Sequence, residues 1–308
     1  MTDLSVQLAP THISGLPLAN PVMVAAGTFG YGIEYAELID IQKLGAIVCK
    51  GTTLNPRDGN AQPRLAETSF GVLNSIGLQN IGIEAVIKEK APIWARWQVP
   101  VIVNIAGNTI QEYVKIASRL EGVKGVSGLE VNISCPNIAH GGIEFGTEPR
   151  AAAEVTKAIK DVTSLPVIVK LSPNVIDITR IAIAVSDAGA DAITLINTLR
   201  GMAIDIANRK PVLGNIYGGL SGPAIKAAAL YMVYEVASAV RIPIIGCGGI
   251  TSAEDALEFI MAGATAVQIG TANLANPAAP LIVLDGIKEF LEREGIAKLS
   301  DIIGIARK

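Results

Sequence analysis

The chain is poor in the residues that most metal and disulfide chemistry needs. It holds only two histidines among 308 residues, His12 and His140, which excludes a multi-histidine metal centre. Its three cysteines, Cys49, Cys135 and Cys247, lie far apart with no C-x-x-C spacing, so neither a disulfide framework nor a zinc site is expected. Three thiolates also fall short of the four that ordinarily hold an iron-sulfur cluster. Charge is scarce: 17% of residues are charged, the formal net charge is -3, and no Lys/Arg cluster offers a footprint to nucleic acid or an anionic membrane. No apolar run reaches the roughly 18 residues of a membrane span. The opening "MTDLSVQLAPTH" has neither the basic start nor the apolar run of a signal peptide, and a cytoplasmic protein is expected.

What is present is bulk apolar sequence, with half of the residues hydrophobic. Short β-branched runs recur in a regular series: "PVMVAAG", "AIVCKG", "VPVIVNIAG", "LEVNIS", "LPVIVKLS", "DAITLINT", "IPIIGCGG" and "TAVQIGTA". Nearly all are continuous rather than alternating, as parallel strands buried on both faces require. Helical patterns lie between them, among them "IEYAELIDIQKLG", "TIQEYVKIASRLEG", "DITRIAIAVSDAGA" and "SAEDALEFIMAGA". Eight strands alternating with helices predict an α/β fold, a (β/α)8 TIM barrel forming one domain over residues 1–308, with a doubly wound open sheet as the alternative. Residues 3–20 read as a short N-terminal hairpin. The long connections 51–79 after strand two and 198–222 after strand six read as insertions over the barrel mouth.

Barrel active sites are built where the strands end. Strand one runs into Ala26-Gly27, strand two into Lys50-Gly51, strand three into Asn104, and strand four into Asn132 and then Cys135. Strand five ends in Lys170, strand six in Asn197-Thr198, strand seven in Gly248-Gly249 and strand eight in Gly270-Thr271. A lysine directly after a buried run is costly unless it meets an anion or a developing negative charge, and Lys50 and Lys170 read as two such residues at neighbouring barrel positions. The glycine turns before the helix starts at strands seven and eight suit a phosphate. Asn74, Asn132, Asn137 and Asn197 offer uncharged donors and acceptors to a planar, amide-rich ligand such as a pyrimidine. Cys135, beside Pro136 and ahead of Gly141-Gly142, is a workable general base, since a thiol needs only a modest shift from about 8.5. His140 competes for that role, while Cys49 and Cys247 read as core residues and His12 as structural.

The motifs "VCKGTT", "GVLNSIGLQN", "NISCPN", "VIVKLSPN", "INT" followed by "GGLSGPAIK", "IIGCGGI" and "QIGTA" resemble, in that order, the class 1 dihydroorotate dehydrogenases, specifically the catalytic subunit of class 1B. The resemblance implies an FMN enzyme of pyrimidine (UMP) biosynthesis that oxidises (S)-dihydroorotate to orotate, with Cys135 as the base. It implies orotate contacts at Lys50, Asn74, Ser75, Ile76, Gly77, Leu78, Asn132, Asn197 and Thr198. It further implies FMN contacts at Ala26, Lys50, Gly51, Asn104, Asn132, Lys170, Ile196, Gly222, Gly248, Gly249, Gly270 and Thr271. Class 1B membership implies electrons passing to NAD through a second subunit with FAD and a [2Fe-2S] cluster, in a heterotetramer of two catalytic and two electron-transfer chains; class 1A would use fumarate. The lack of a G-x-G-x-x-G strand-helix unit and the cysteine count fit those centres lying on the partner.

Three other readings stand beside this one. A barrel lyase would form a Schiff base on Lys170. A non-catalytic barrel that binds a pyrimidine or a phosphate would keep binding and function on Cys135→Ser. A dihydropyrimidine or dihydrouridine reductase would share the flavin, although the dihydrouridine case calls for a basic RNA-binding face.

Overall fold

The computed structural model describes residues 2–133 and 145–307. Eight parallel strands close into a barrel: β1 (Val22–Val24), β2 (Ala46–Val48), β3 (Val101–Ile105), β4 (Gly128–Asn132), β5 (Val167–Lys170), β6 (Ala192–Leu195), β7 (Ile244–Cys247) and β8 (Ala266–Ile269). Each pairs with the next in chain order and β8 returns to β1, so the open-sheet alternative is excluded. Every residue of these strands is buried, because one face packs into the barrel and the other under the helices.

Local signals place three of the helices. Thr109, Asp177 and Ser252 each accept a backbone N–H through the side chain and so start Ile110–Leu120, Ile178–Asp187 and Ala253–Ala262. Within the first of these, Tyr113, Ile116, Ala117 and Leu120 are buried, the i, i+3, i+4, i+7 stripe of a helix lying on a sheet. The pattern "IEYAELIDIQKLG" forms no α-helix. Residues 31–40 are a chain of turns followed by the 3-10 turn Ile41–Lys43. Here Gly30 and Gly32 take positive φ, the Glu34 carboxylate accepts the Tyr31 N–H at 2.9 Å, and Tyr35 stacks on Phe29 while its hydroxyl donates to the Thr28 carbonyl. Those contacts hold a turn geometry that local periodicity does not reveal. The long C-terminal helix Ala279–Arg293, buried through Val283, Ile287 and Leu291, was not among the patterns read from the sequence.

The N-terminal hairpin exists, with Val6–Gln7 antiparallel to Pro17–Leu18. Its Leu8, Leu16 and Leu18 are buried in the main core, and Leu16 lies against Gly128 at the start of β4. An apolar plug therefore closes the end of the barrel opposite the strand termini. The two insertions meet at that other end: Leu65–Thr68 and Gly71–Asn74 from the first join Leu199–Gly201 and Gly218–Ser221 from the second in one four-stranded antiparallel sheet. Pairing of Gly219 with Asn74 joins residues 145 apart and roofs the barrel mouth.

Candidate active site

Under that roof lies a cavity of about 320 Å³, within the size range of small-molecule sites. The strand ends supply its floor and sides. Ala26 follows β1, Lys50 and Gly51 follow β2, Asn104 lies one residue before the end of β3, Asn132 ends β4, and Lys170 ends β5. Ile196, Asn197 and Thr198 line it after β6, Gly248 and Gly249 after β7, and Gly270 and Thr271 after β8. The insertions add Asn74, Ser75, Ile76, Gly77 and Leu78 from one side and Gly222 from the other. Cys135, Asn137 and His140 lie outside the described residues.

Polar side chains converge here and hold one another. Asn197 donates through Nδ2 to Asn132 Oδ1 at 3.4 Å, and its own Oδ1 accepts the Thr198 N–H at 2.8 Å. The Asn132 carbonyl accepts from the buried Tyr113 hydroxyl at 2.7 Å. The 74–78 segment carries backbone strain at its end, where Leu78 sits at φ 54, a left-handed conformation unfavourable for a residue with a Cβ. Asn80 enforces it: Nδ2 donates to the Leu78 carbonyl at 2.7 Å and to Thr53 Oγ1 at 2.8 Å, and Oδ1 accepts the N–H groups of Gly82 and Thr53.

The two lysines have different surroundings and are not neighbours: Lys50 follows β2 and Lys170 ends β5, with β3 and β4 between. Burial pulls Lys50 below the usual lysine range, the Glu34 charge partly opposes this, and Arg64 adds to it. Lys170, 5% exposed, is driven the other way. Burial alone would lower it, but the negative charges of Cys247, when ionised, and of Glu130 more than compensate. Burial pushes the Cys247 thiol itself up, and the Glu130 carboxylate stands 3.9 Å from the Lys170 ammonium.

The helix start at the expected phosphate seat after β7 is itself capped. Ser252 and Asp255 form a capping box, and the Asp255 carboxylate already accepts the N–H groups of Thr251 and Ser252 while pairing with Lys226 at 2.7 Å. Those two N–H groups are thus engaged, while the Gly248-Gly249 turn lines the cavity. Gly249, at φ 75, has no room for a Cβ, which would fall 2.8 Å from the Lys226 backbone N and 2.9 Å from the Gly222 carbonyl. Its lack of a side chain keeps the backbone open to the cavity.

Sequence reasoning missed the polar interior beneath the cavity. Glu130, Thr194 and Gln268 are fully buried inside the barrel, and none was singled out. The available signal was a charged or amide residue inside otherwise apolar runs, "LEVN" and "AVQI". Cys49 is a core residue as expected, with its thiol pushed up to about 12 by burial, whereas the buried Cys247 also lines the cavity. His12 caps its own turn, Nδ1 accepting the Ser14 N–H at 3.2 Å. Among the described residues there is no His/Cys/Asp/Glu group able to hold a metal ion, and no helix long and apolar enough to cross a membrane.

The family model for dihydroorotate dehydrogenase matches residues 8–291. Similar relatives include the proteins named dihydroorotate dehydrogenase B (NAD(+)), catalytic subunit, of Pelobacter propionicus, 57% identical over 98% of both chains, and of Geotalea daltonii, 56% identical over 98% of this chain and 97% of that one. A third, of Desulforamulus reducens, carries the same name and is 56% identical over 96% of this chain and 97% of its own. By motif order, barrel and similarity along nearly its whole length, the chain belongs to the dihydroorotate dehydrogenase family.

Proposed function

We propose that this chain oxidises (S)-dihydroorotate to orotate with bound FMN in pyrimidine biosynthesis, as the catalytic subunit of an NAD-linked assembly. The observation that carries the reading is the meeting, in one cavity, of the amides of Asn74, Asn132 and Asn197 with two lysines and an unpartnered buried acceptor, Asn104 Oδ1. The residues fit a flavin. Asn104 Oδ1 needs a donor, and Gly51 leaves it clear, since a Cβ there would stand 3.0 Å away. Lys170 brings an ammonium to the same wall, and the Gly248-Gly249 and Gly270-Thr271 turns offer backbone to a phosphate.

When bound, FMN would accept the hydride from C6 of the substrate. The remaining work falls to the protein. Asn74, Asn132, Asn197 and Thr198 orient the pyrimidine ring, and Lys50 pairs with its carboxylate. Ser75 to Leu78 close over the substrate, with Ala26, Ile196 and Gly222 packing on the cofactor. Cys135 as thiolate takes the proton from C5, so that C5 loses a proton, C6 loses a hydride and the ring gains a double bond. Lys170 stabilises negative charge arriving on its wall of the cavity. The Glu130 carboxylate, 3.9 Å from Lys170 Nζ, favours the ammonium and so argues against the Schiff-base reading, which needs a neutral amine.

The relatives' names describe a catalytic subunit, which supports a partner chain. We assign FAD and a [2Fe-2S] cluster to that partner, in a heterotetramer of two catalytic and two electron-transfer chains in the cytoplasm, with a single barrel domain over residues 1–308 of this chain. Anaerobic titration of the FMN-loaded chain with dihydroorotate tests the reaction. Bleaching of the flavin absorbance is expected, and a spectrum that dihydroorotate leaves unchanged would refute it. Cys135→Ser should slow that bleaching strongly at neutral pH, because a serine hydroxyl is a far poorer base than a thiolate.

A further inference from the structure

Glu130 lies at the centre of the barrel, 0% exposed, and does not line the cavity. Its Oε1 accepts from Asn104 Nδ2 at 2.8 Å, and its Oε2 accepts from Thr194 Oγ1 at 2.9 Å and Gln268 Nε2 at 2.6 Å. Lys170 Nζ stands 3.9 Å from Oε1 and donates to Gln268 Oε1 at 3.2 Å. These groups come from β3, β4, β5, β6 and β8, which can meet only in the barrel interior.

One carboxylate thereby decides the polarity of two amides. With Nδ2 drawn to Glu130, Asn104 turns its Oδ1 away, buried and without a partner, on the cavity wall. With Nε2 drawn to Glu130, Gln268 turns its Oε1 to the Lys170 ammonium. The wall then presents an acceptor from Asn104 and a cationic donor from Lys170. That pair complements an N–H beside a carbonyl, the pattern along the edge of a flavin's pyrimidine ring. Reversing Asn104 would set donor against donor, and leaving an amide mismatched in a buried site is costly.

We propose that Glu130, without touching any ligand, is the positioning residue for the cofactor wall: it fixes the acceptor face of Asn104 and supplies the charge that keeps Lys170 an ammonium. The proposal rests on the flavin reading above. Among the described residues, the titratable side chains that face Lys170 are Glu130 from β4 and Cys247 from β7, while Thr194 and Gln268 beside it are neutral. Removing Glu130 leaves the desolvated lysine, among the described residues, only the buried Cys247 thiol as a titratable neighbour, and losing the carboxylate drives lysine toward deprotonation.

The test uses the FMN-loaded chain and two readouts: the FMN dissociation constant and the absorption spectrum of bound flavin between about pH 6 and 9, the span in which a buried lysine stripped of its partner titrates. Glu130→Gln keeps the shape and removes the charge. It should weaken FMN binding about tenfold or more, and bound flavin should gain a pH-dependent spectral transition that the unsubstituted chain lacks and that E130Q combined with Lys170→Met loses. Glu130→Asp keeps the charge one methylene short of Asn104. It should weaken binding without the transition, and if E130Q does not fold, an E130D chain that binds FMN as tightly as the unsubstituted one overturns the proposal. A purely structural Glu130 would leave both readouts unchanged in folded variants, or weaken binding in E130Q with no pH-dependent transition; either result overturns the proposal. An unsubstituted chain that takes up no FMN would overturn the flavin reading as well, so the two failures are told apart.

Discussion

Lys50 and Lys170 follow the same kind of strand, yet their environments give them opposite behaviour. Lys50 is pulled below the ordinary range by burial, so it loses its proton before an exposed lysine as pH rises. If it pairs with the product carboxylate, orotate affinity should fall with rising pH, beginning below about 10.4, the ordinary lysine value. Spectral titration of the bound flavin with orotate across that range checks this, and a flat affinity would remove Lys50 from the carboxylate site. The stability signs also differ. The folded chain holds the Lys50 proton less tightly than the unfolded chain, so that contribution improves as pH rises through its lowered pKa. Lys170, raised, stabilises below its unfolded value, and that contribution is lost as pH rises through its folded one. Asn80 is the other residue of consequence at this scale. Asn80→Ala should cost about 1–3 kcal/mol by leaving buried groups unpaired. It should also weaken orotate binding by freeing Leu78 from its left-handed conformation, which chemical denaturation and ligand titration measure separately.

Among the elements, the helix starts were legible because a cap is a local event. Ser252 and Asp255 sit three residues apart and satisfy one another's backbone donors, a pattern visible in "SAEDA". Ser252→Ala should cost about 1 kcal/mol, measured by chemical denaturation. The turn chain at 31–40 was not legible, because its apolar spacing imitates a helix while the Phe29–Tyr35 stack and the Glu34 bond to Tyr31 hold turns instead. The roof over the cavity was only half legible. Both insertions stood out as over-long connections, but the register that joins Gly219 to Asn74 depends on a pairing no local window contains. Of the site, the strand-end residues could be read because the architecture dictates where they fall. Glu130, Thr194 and Gln268 could not be joined into a network without knowing which strands face inward at the same level.

For the whole molecule, the cofactor should act as a folding ligand. A ligand that binds only the folded chain at a hundredfold its dissociation constant adds about 2.7 kcal/mol, so the flavin-free chain should unfold at a lower temperature and recover on addition of FMN, as calorimetry would show. The chain alone should be reduced by dihydroorotate yet pass no electrons to NAD until an electron-transfer subunit is supplied. NADH formation by the isolated chain would contradict the partner assignment, and fumarate consumption would favour the other class. The apolar runs by themselves determined a sheet of parallel strands covered on both faces, and chain order alone set which residues follow each strand, whereas closure into a barrel rather than an open sheet came with the pairing of β8 and β1. Only the tertiary structure decided the polarity of those ends. An amide's orientation and a lysine's charge are settled by what faces them across the barrel, and Glu130 meets Asn104, Thr194, Gln268 and Lys170 only once the eight strands have closed.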